Sequence, residues 1–345
     1  MRAWAELLRV SALFTVPGDA LAGAAAVGRR PNGSTALAVG ASLCLYEAGM
    51  ALNDWADRDE DAVDRPHRPI PSGRITPRAA LTAAGALTAA GLALAARAGR
   101  PALTVATGLA ATVWAYDLRL KHTPAGPASM AAARGLDLLL GATATATARA
   151  TATHSTRATG TATAASARAA LPAAALLTAH TYAVTAVSRH EAQGGSTTAP
   201  LAALGAVVAL GGIAVRERQR ERQKVGQGAA GGSPDGEGSG SATPGTRAGS
   251  GGTESARVRT ATTAPARLLL TALTGAYLRT AGRPLVHAAL NPSPPLTQRA
   301  VGSGIRAMIP LQAALAARAG ASGTALAVMG LVPLARSLAR KVSPT

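Results

Sequence analysis

An all-α, polytopic bundle of membrane-crossing helices is the fold class this sequence predicts, and three observations predict it. The chain of 345 residues is 48% hydrophobic, 15% charged and only 2% aromatic, so its apolar surface is mostly alanine and leucine methyls. A water-soluble core built from such small groups would be poorly filled. Second, runs of Ala, Leu, Val and Gly of roughly 16 to 20 residues recur along the chain, close to the length a bilayer-spanning helix needs. Third, the net charge of +18 is carried by arginines scattered between apolar runs. A nucleic-acid binder would gather them on one face with stacking aromatics, so no nucleic acid is expected as a partner and the lipid bilayer is.

Taken in order, the candidate spans are 7–27, 35–52, 79–97, 101–118, 129–146, 170–187, 199–215, 264–281, 300–316 and 321–338. The first has an early arginine and an alanine-rich stretch like a signal peptide. Glu6, Pro17 and Asp19 interrupt it, so a retained first helix is expected. Cys44, the single cysteine, sits inside the second run and offers neither a disulfide nor a thiolate metal site. Two segments are expected to stand apart from the bundle: the Ala/Thr run at 142–169 and a polar, Gly/Ser-rich insert at 216–262. The insert opens with "RERQRERQK", which can prolong a helix at headgroup level, and then has the composition of a disordered chain. The organisation expected is thus 1–215 as the first part of the bundle, with an aspartate-rich loop at 53–78, then the insert, then 263–345 as further helices of the same bundle.

Arginine and lysine in short loops set orientation. The loop after the second span carries Arg58, Arg65, Arg68, Arg74 and Arg78, and the loop after the fourth carries Arg119 and Lys121, which places both on the cytoplasmic side of the cell (inner) membrane. The cluster Arg216 to Lys224 follows an odd-numbered span and contradicts that rule.

The aspartate-rich loop, "LNDWADRDEDAVDRPHRPIPSGRIT" at 52–76, carries the chemistry. If the second helix continues past its apolar end, Asn53, Asp57 and Asp61 fall on one face one turn apart, with Asp54 beside them. Carboxylates so close repel one another, and a hard divalent cation with oxygen ligands relieves the repulsion. Magnesium completes its shell with water and substrate phosphates, so a diphosphate is the natural third partner. A calcium loop starting at Asp57 fails, because the turn glycine would be Ala62 and the closing glutamate Arg68. Composition alone leaves a solvated charged loop as good a reading as a metal site.

"NDWADRDED" matches the NDxxDxxxD pattern of the UbiA superfamily of intramembrane prenyltransferases, and "RPIPSGRIT" and "YDLRLKHTPAGP" resemble segments of the same family. "RGLDLLLGA", "AVGSGIRAMIPLQAALAARAG" and "LARKVSPT" are most similar to its EboC-like branch. The resemblance implies about nine helices around a central cavity and Mg2+-dependent transfer of an isoprenyl group from a prenyl diphosphate to a small acceptor. It implies Asn53, Asp57 and Asp61 as magnesium ligands with Asp54 as a further carboxylate. Arg68 and Lys121 would meet the diphosphate and stabilise charge on that leaving group, with Asp57, Asp61 and Lys121 central to the chemistry.

The family's second motif, DxxxD, falls on "TYAVTAVSRHEAQGG". With Gly195 on the family glycine, Glu191 takes the second aspartate and Val187 the first, so Glu191 is the remaining metal ligand and Val187→Asp would rebuild the spacing on one helical face. Arg189 either binds phosphate or is an interfacial charge at a helix end. Asp19, Glu47, Arg134, Asp137 and His180 lie within spans and are expected to face the bundle interior. Arg134 and Asp137, three apart, read as a mutual ion pair, with Arg134 a candidate substrate contact. Glu47, two turns before Asp54, is expected to point into the cavity. The alternative to transfer is a UbiA-shaped binding or transport protein for a phosphorylated or polar small molecule.

Overall fold

The computed structural model describes residues 2–147, 156–191, 194–230 and 264–342, and every regular element among them is helical. α1 (Arg2–Leu7) and a 3-10 turn (Val10–Thr15) lead into α2 (Pro17–Ala26), α3 (Gly33–Ala56), the short α4 (Arg58–Asp64), α5 (Pro77–Ala98) and α6 (Arg100–Ala115). A π-helical turn (Tyr116–Leu120) precedes α7 (Gly126–Thr147), and α8 (Thr156–Ser188), α9 (Thr198–Ala230), α10 (Ala264–Leu290), α11 (Pro294–Arg318) and α12 (Ser322–Val342) follow. Nine of the ten predicted spans each have a helix, while the first, 7–27, is broken into the end of α1, the 3-10 turn and the ten-residue α2. Five stretches, in α3, α5, α8, α9 and α11, are long and apolar enough to cross a bilayer.

Local chemistry sets the boundaries. Asn32 caps α3 reciprocally: its side chain accepts from the Thr35 N–H at 3.0 Å, and the Thr35 hydroxyl accepts from the Asn32 N–H at 2.9 Å. Thr76 caps α5 with Pro77 in the first turn, where its missing N–H costs nothing. Gly99, at φ 130°, ends α5 and is at once the cap before α6. A side chain there would be strained, so the two helices are joined by one residue that has to be glycine.

Lipid supplies no hydrophobic drive between helices, so these associate by close backbone approach, which the small residues permit. α2 and α7 show it best. A side chain on Gly23 would meet the Leu138 carbonyl and the Ala142 nitrogen, and one on Gly141 would run into the Ala20 backbone. α11 lies innermost, buried without interruption from Ala307 to Ala317, as expected of a helix apolar all round.

Two expectations about organisation are corrected. While 148–155 lie outside the described residues, the first part of the Ala/Thr run at 142–169 does not stand apart: α7 continues to Thr147 with Thr143, Thr145 and Thr147 all buried. Their hydroxyls donate to the carbonyls of Leu139, Gly141 and Thr143 one turn back, so no polar atom is left bare. Likewise α9 does not stop at 215 but runs to Ala230, taking in the arginine cluster, while the rest of the proposed insert lies outside the described residues.

Candidate active site

The aspartate-rich loop begins where α3 ends. Asp57 is the last residue of α3's cap and the first of α4's, so the helix breaks there instead of running on as expected. The backbone ladder nevertheless continues across the break, from Asp57 N–H to the Asn53 carbonyl at 2.9 Å and from Asp61 N–H to the Asp57 carbonyl at 2.7 Å. Hence Asn53, Asp57 and Asp61 keep the one-turn spacing that the sequence predicts.

The loop after α4 is anchored so that Arg68 faces back onto these carboxylates. Ile70 and Ile75 insert into an apolar cluster with Leu7, Ala51 and Leu52. Arg74 forks onto Glu6 of α1 at 2.7 and 3.2 Å and donates to the His67 carbonyl. With the loop pinned at both ends, one Arg68 nitrogen donates to Asp54 at 3.0 Å and to Asp61 at 3.1 Å. Asp61, almost fully buried, also pairs with Arg65 at 2.8 Å. Lys121, at the end of the π-helical turn, pairs with Asp57. Asn53, Asp54, Asp57, Asp61, Arg68 and Lys121 are thus brought together. The sequence argument from mutual repulsion counted the carboxylates without these cations, which already balance them.

Two members of the cluster were not anticipated. Arg9 sits in the left-handed region at φ 47°, the one such non-glycine residue among those described, and reaches Asp54 at 3.3 Å and Asn53 at 3.5 Å. Asp117, buried within the π-helical turn, accepts from Asn53 at 3.2 Å. Each is an ionisable residue inside an apolar run, which was the available signal, and π-turns recur at functional sites. Asn53, Asp54, Asp57 and Asp61 offer hard oxygen donors of the kind magnesium takes, but the carboxylates of Asp54, Asp57 and Asp61 do not converge on one point in this arrangement. Asp57, Glu60 and His122 can converge on one point, their ligand atoms lying within 4.8 Å of one another.

Behind this cluster the bundle holds a partly open cavity of about 600 Å³. Arg9, Asn53, Tyr116, Asp117 and Ser188 line it toward the acidic loop, and Thr15, Ser42, Arg134, Asp137, His180 and Met308 line its far part. On α3 the cavity face is Ser42, Leu45, Tyr46, Gly49, Met50 and Asn53, so Glu47, about 100° round the helix from Tyr46, is not on it. The expected cavity role of Glu47 is withdrawn. Arg134 does face the cavity, but its partner is Asp19 of α2 at 2.9 Å rather than Asp137. Asp137 instead accepts from Ser42. The intrahelical pair fails because α2 and α7 touch so closely that a carboxylate on the neighbouring helix is nearer.

The degenerate second motif is also re-registered. Val187 packs in the main apolar cluster with Ala203 and Val207, and α8 presents Thr181, Val184, Thr185 and Ser188 to the cavity. Val187→Asp therefore buries a carboxylate among methyls instead of rebuilding a ligand. It is expected to destabilise the protein by several kcal/mol, read as a lower unfolding midpoint in detergent. Glu191 is half-buried in the turn after α8, where burial raises its carboxyl above the usual range. Arg189 donates to the Thr123 carbonyl at 2.8 Å, holding that turn against the loop that follows Lys121.

Many closely packed helices, a paired carboxylate and cation cluster at one end, and a cavity behind it define a polytopic integral membrane protein with a polar site facing its own interior. Residues 12–222, more than half of the chain, match the model of the UbiA prenyltransferase family, and the chain belongs to that family. It is 36% identical over 129 residues to the digeranylgeranylglyceryl phosphate synthase of Methanopyrus kandleri, covering 36% of this chain and 46% of that protein. With the synthase of the same name from Methanothrix thermoacetophila it shares 40% identity over 109 residues, 31% of this chain and 41% of that one. The chain thus spans less than half the length of these curated relatives. The fold is also that of a solved digeranylgeranylglyceryl phosphate synthase, at TM-score 0.54 and 15% identity over 92% of this chain and 97% of that one. A UbiA homolog from Aeropyrum pernix K1 gives TM-score 0.53 and 17% identity over 86% and 96%.

Proposed function

We propose that this protein transfers an isoprenyl group from its diphosphate to a small acceptor within the membrane. The observation that carries the reading is the pairing of four oxygen-bearing motif residues with Arg9, Arg68 and Lys121 at one end of a partly open, mostly apolar cavity. Asn53, Asp54, Asp57 and Asp61 would hold magnesium, with Glu191 as a further carboxylate, and a bound metal would supply positive charge for the diphosphate leaving group. Arg68 and Lys121 orient and stabilise that same leaving group through charge-assisted hydrogen bonds, and Arg189 serves it from the neighbouring turn. The apolar walls of Leu45, Met50, Leu109 and Val113 exclude water, so an allylic cation meets the acceptor rather than hydroxide. In this reading the acidic loop lies on the cytoplasmic face of the cell membrane, where Arg58, Arg65, Arg68, Arg74 and Arg78 put it, and α9 carries Arg216 to the other face.

The relatives named as synthases favour transfer over simple binding or transport of a phosphorylated ligand. Purified protein in lipid nanodiscs with geranylgeranyl diphosphate and magnesium is expected to release diphosphate and label an acceptor from membrane extract. Tight diphosphate binding with no release over many hours would replace this reading by the binding-protein one. Glu191→Gln keeps the shape and removes the charge. It is expected to lower turnover on the order of 100-fold if that carboxylate serves the metal, and unchanged turnover would remove Glu191 from the ligand set.

A further inference from the structure

The flank of the bundle formed by α7 and α8 carries a second, smaller cavity that the transfer chemistry does not touch. It is an apolar groove of about 260 Å³, walled by Ala132, Leu136 and Leu139 of α7 and by Leu171, Ala175 and Thr178 of α8. Its floor is Gly135, whose missing side chain lets the Thr178 hydroxyl come against the α7 backbone. The groove opens outward, toward lipid: Ala132, Leu171 and Ala175 are exposed, whereas α7 turns Arg134 and Asp137 to the central cavity.

One turn beyond Leu171, on the same face of α8, stands Arg168, exposed and paired with no carboxylate among the described residues. Arg168 is ten residues from Thr178, about 15 Å along the helix, which is half of the ~30 Å hydrocarbon core of a bilayer. Groove and arginine thus span one leaflet, with the cation at the depth of the headgroup phosphates. That leaflet is the one opposite the acidic loop, because Ser188, about 30 Å further along α8, lines the central cavity toward that loop.

The same end of the bundle is cationic. Arg29 and Arg30 before α3, Arg97 and Arg100 on either side of Gly99, Arg216 of α9 and Arg267 in the first turn of α10 are exposed there, and none is in an ion pair among the described residues. Pro172 in α8 also has no N–H to give the Arg168 carbonyl four residues earlier, so the usual helical bond does not occupy that acceptor. An apolar groove one leaflet long with an unpaired guanidinium at its mouth fits an acyl chain that ends in a phosphate. A second copy of the chain fits worse, since a two-fold axis through this face would bring each Arg168 toward its own counterpart.

We propose that the α7–α8 groove binds one anionic phospholipid of the leaflet opposite the acidic loop, with its phosphate on Arg168 and an acyl chain lying over Gly135. The lipid braces from outside the two helices that hold Arg134, Asp137 and His180 at the central cavity, and its binding does not depend on the transfer reading.

The test is native mass spectrometry of the full-length protein released from nanodiscs of equimolar palmitoyl-oleoyl phosphatidylglycerol and phosphatidylcholine. One phosphatidylglycerol is expected to stay bound with about 5-fold preference over phosphatidylcholine, the discrimination that a single arginine near a membrane surface gives. Arg168→Gln should abolish that preference, while Arg97→Gln, at the same end but off the groove, should leave it unchanged. Ala175→Leu fills the groove and should lower retention of both lipids several-fold, and Ala132→Leu does the same from α7 should that variant fail to fold. Equal retention of the two lipids by the wild type would overturn the proposal. So would an equal loss of preference in Arg168→Gln and Arg97→Gln, which would show a diffuse cationic belt, or a dimer that Ala175→Leu dissociates, which would give the groove to a second copy.

Discussion

Asp57→Asn is expected to lower magnesium-dependent turnover of geranylgeranyl diphosphate by about 100- to 1,000-fold while the protein remains folded. The expectation follows from where Asp57 stands. It occupies the α3–α4 junction, partly open, paired with Lys121 and with no role in the apolar clusters, so its amide counterpart fits the same space. What is lost is a charged oxygen at the point where diphosphate charge has to be offset, and single groups of that kind are worth this much. Asp59→Asn is the control, since its side chain is 86% exposed and touches only Arg58. Diphosphate release and diphosphate affinity, measured on both variants with matched unfolding midpoints, decide the matter. A folded Asp57→Asn protein with wild-type turnover would dismiss the site.

The second large effect is structural. Gly141→Leu should destabilise the bundle by about 3 kcal/mol or prevent its assembly, because the new side chain would enter the backbone of Ala20 and that backbone has no rotamer to change. Separating α2 from α7 would also part Asp19 from Arg134, leaving each charge buried without its partner. Gly108→Leu on α6, where a side chain meets open space, is expected to change the thermal midpoint little. Equal midpoints for the two variants would show that the α2–α7 crossing is not what holds the bundle together.

The spans were legible because each is a long apolar run, and the one-turn spacing of Asn53, Asp57 and Asp61 was legible because the motif repeats every fourth residue, although the break between α3 and α4 at Asp57 was not. What could not be read is whatever depends on distant partners. Arg134 looks paired with Asp137 from its own helix, and only the crossing of α2, 115 residues earlier, brings Asp19 closer. The threonines at 143, 145 and 147 look like low-complexity filler until their hydroxyls are seen to be satisfied within the helix. Val187 sits at the motif's spacing, yet the helix presents its neighbours Val184 and Ser188 to the cavity. Arg9 carries no motif, and Asp117 lies in the family-like segment "YDLRLKHTPAGP" without being singled out there; the place of both at the site follows from the backbone turns that hold them.

The single-residue joint at Gly99 bears on how the protein is made. With one glycine between them, α5 and α6 leave no length of chain able to wait in water while the first of the pair settles. Both must enter the bilayer together, as a hairpin whose two arms share the free energy of insertion. α6 is the shorter and carries Asp117 just beyond its end, whereas α5 is long and free of acidic residues. The stronger arm can therefore carry the weaker one across, and the buried carboxyl of Asp117, which accepts from Asn53, is delivered to a place it would not reach on its own.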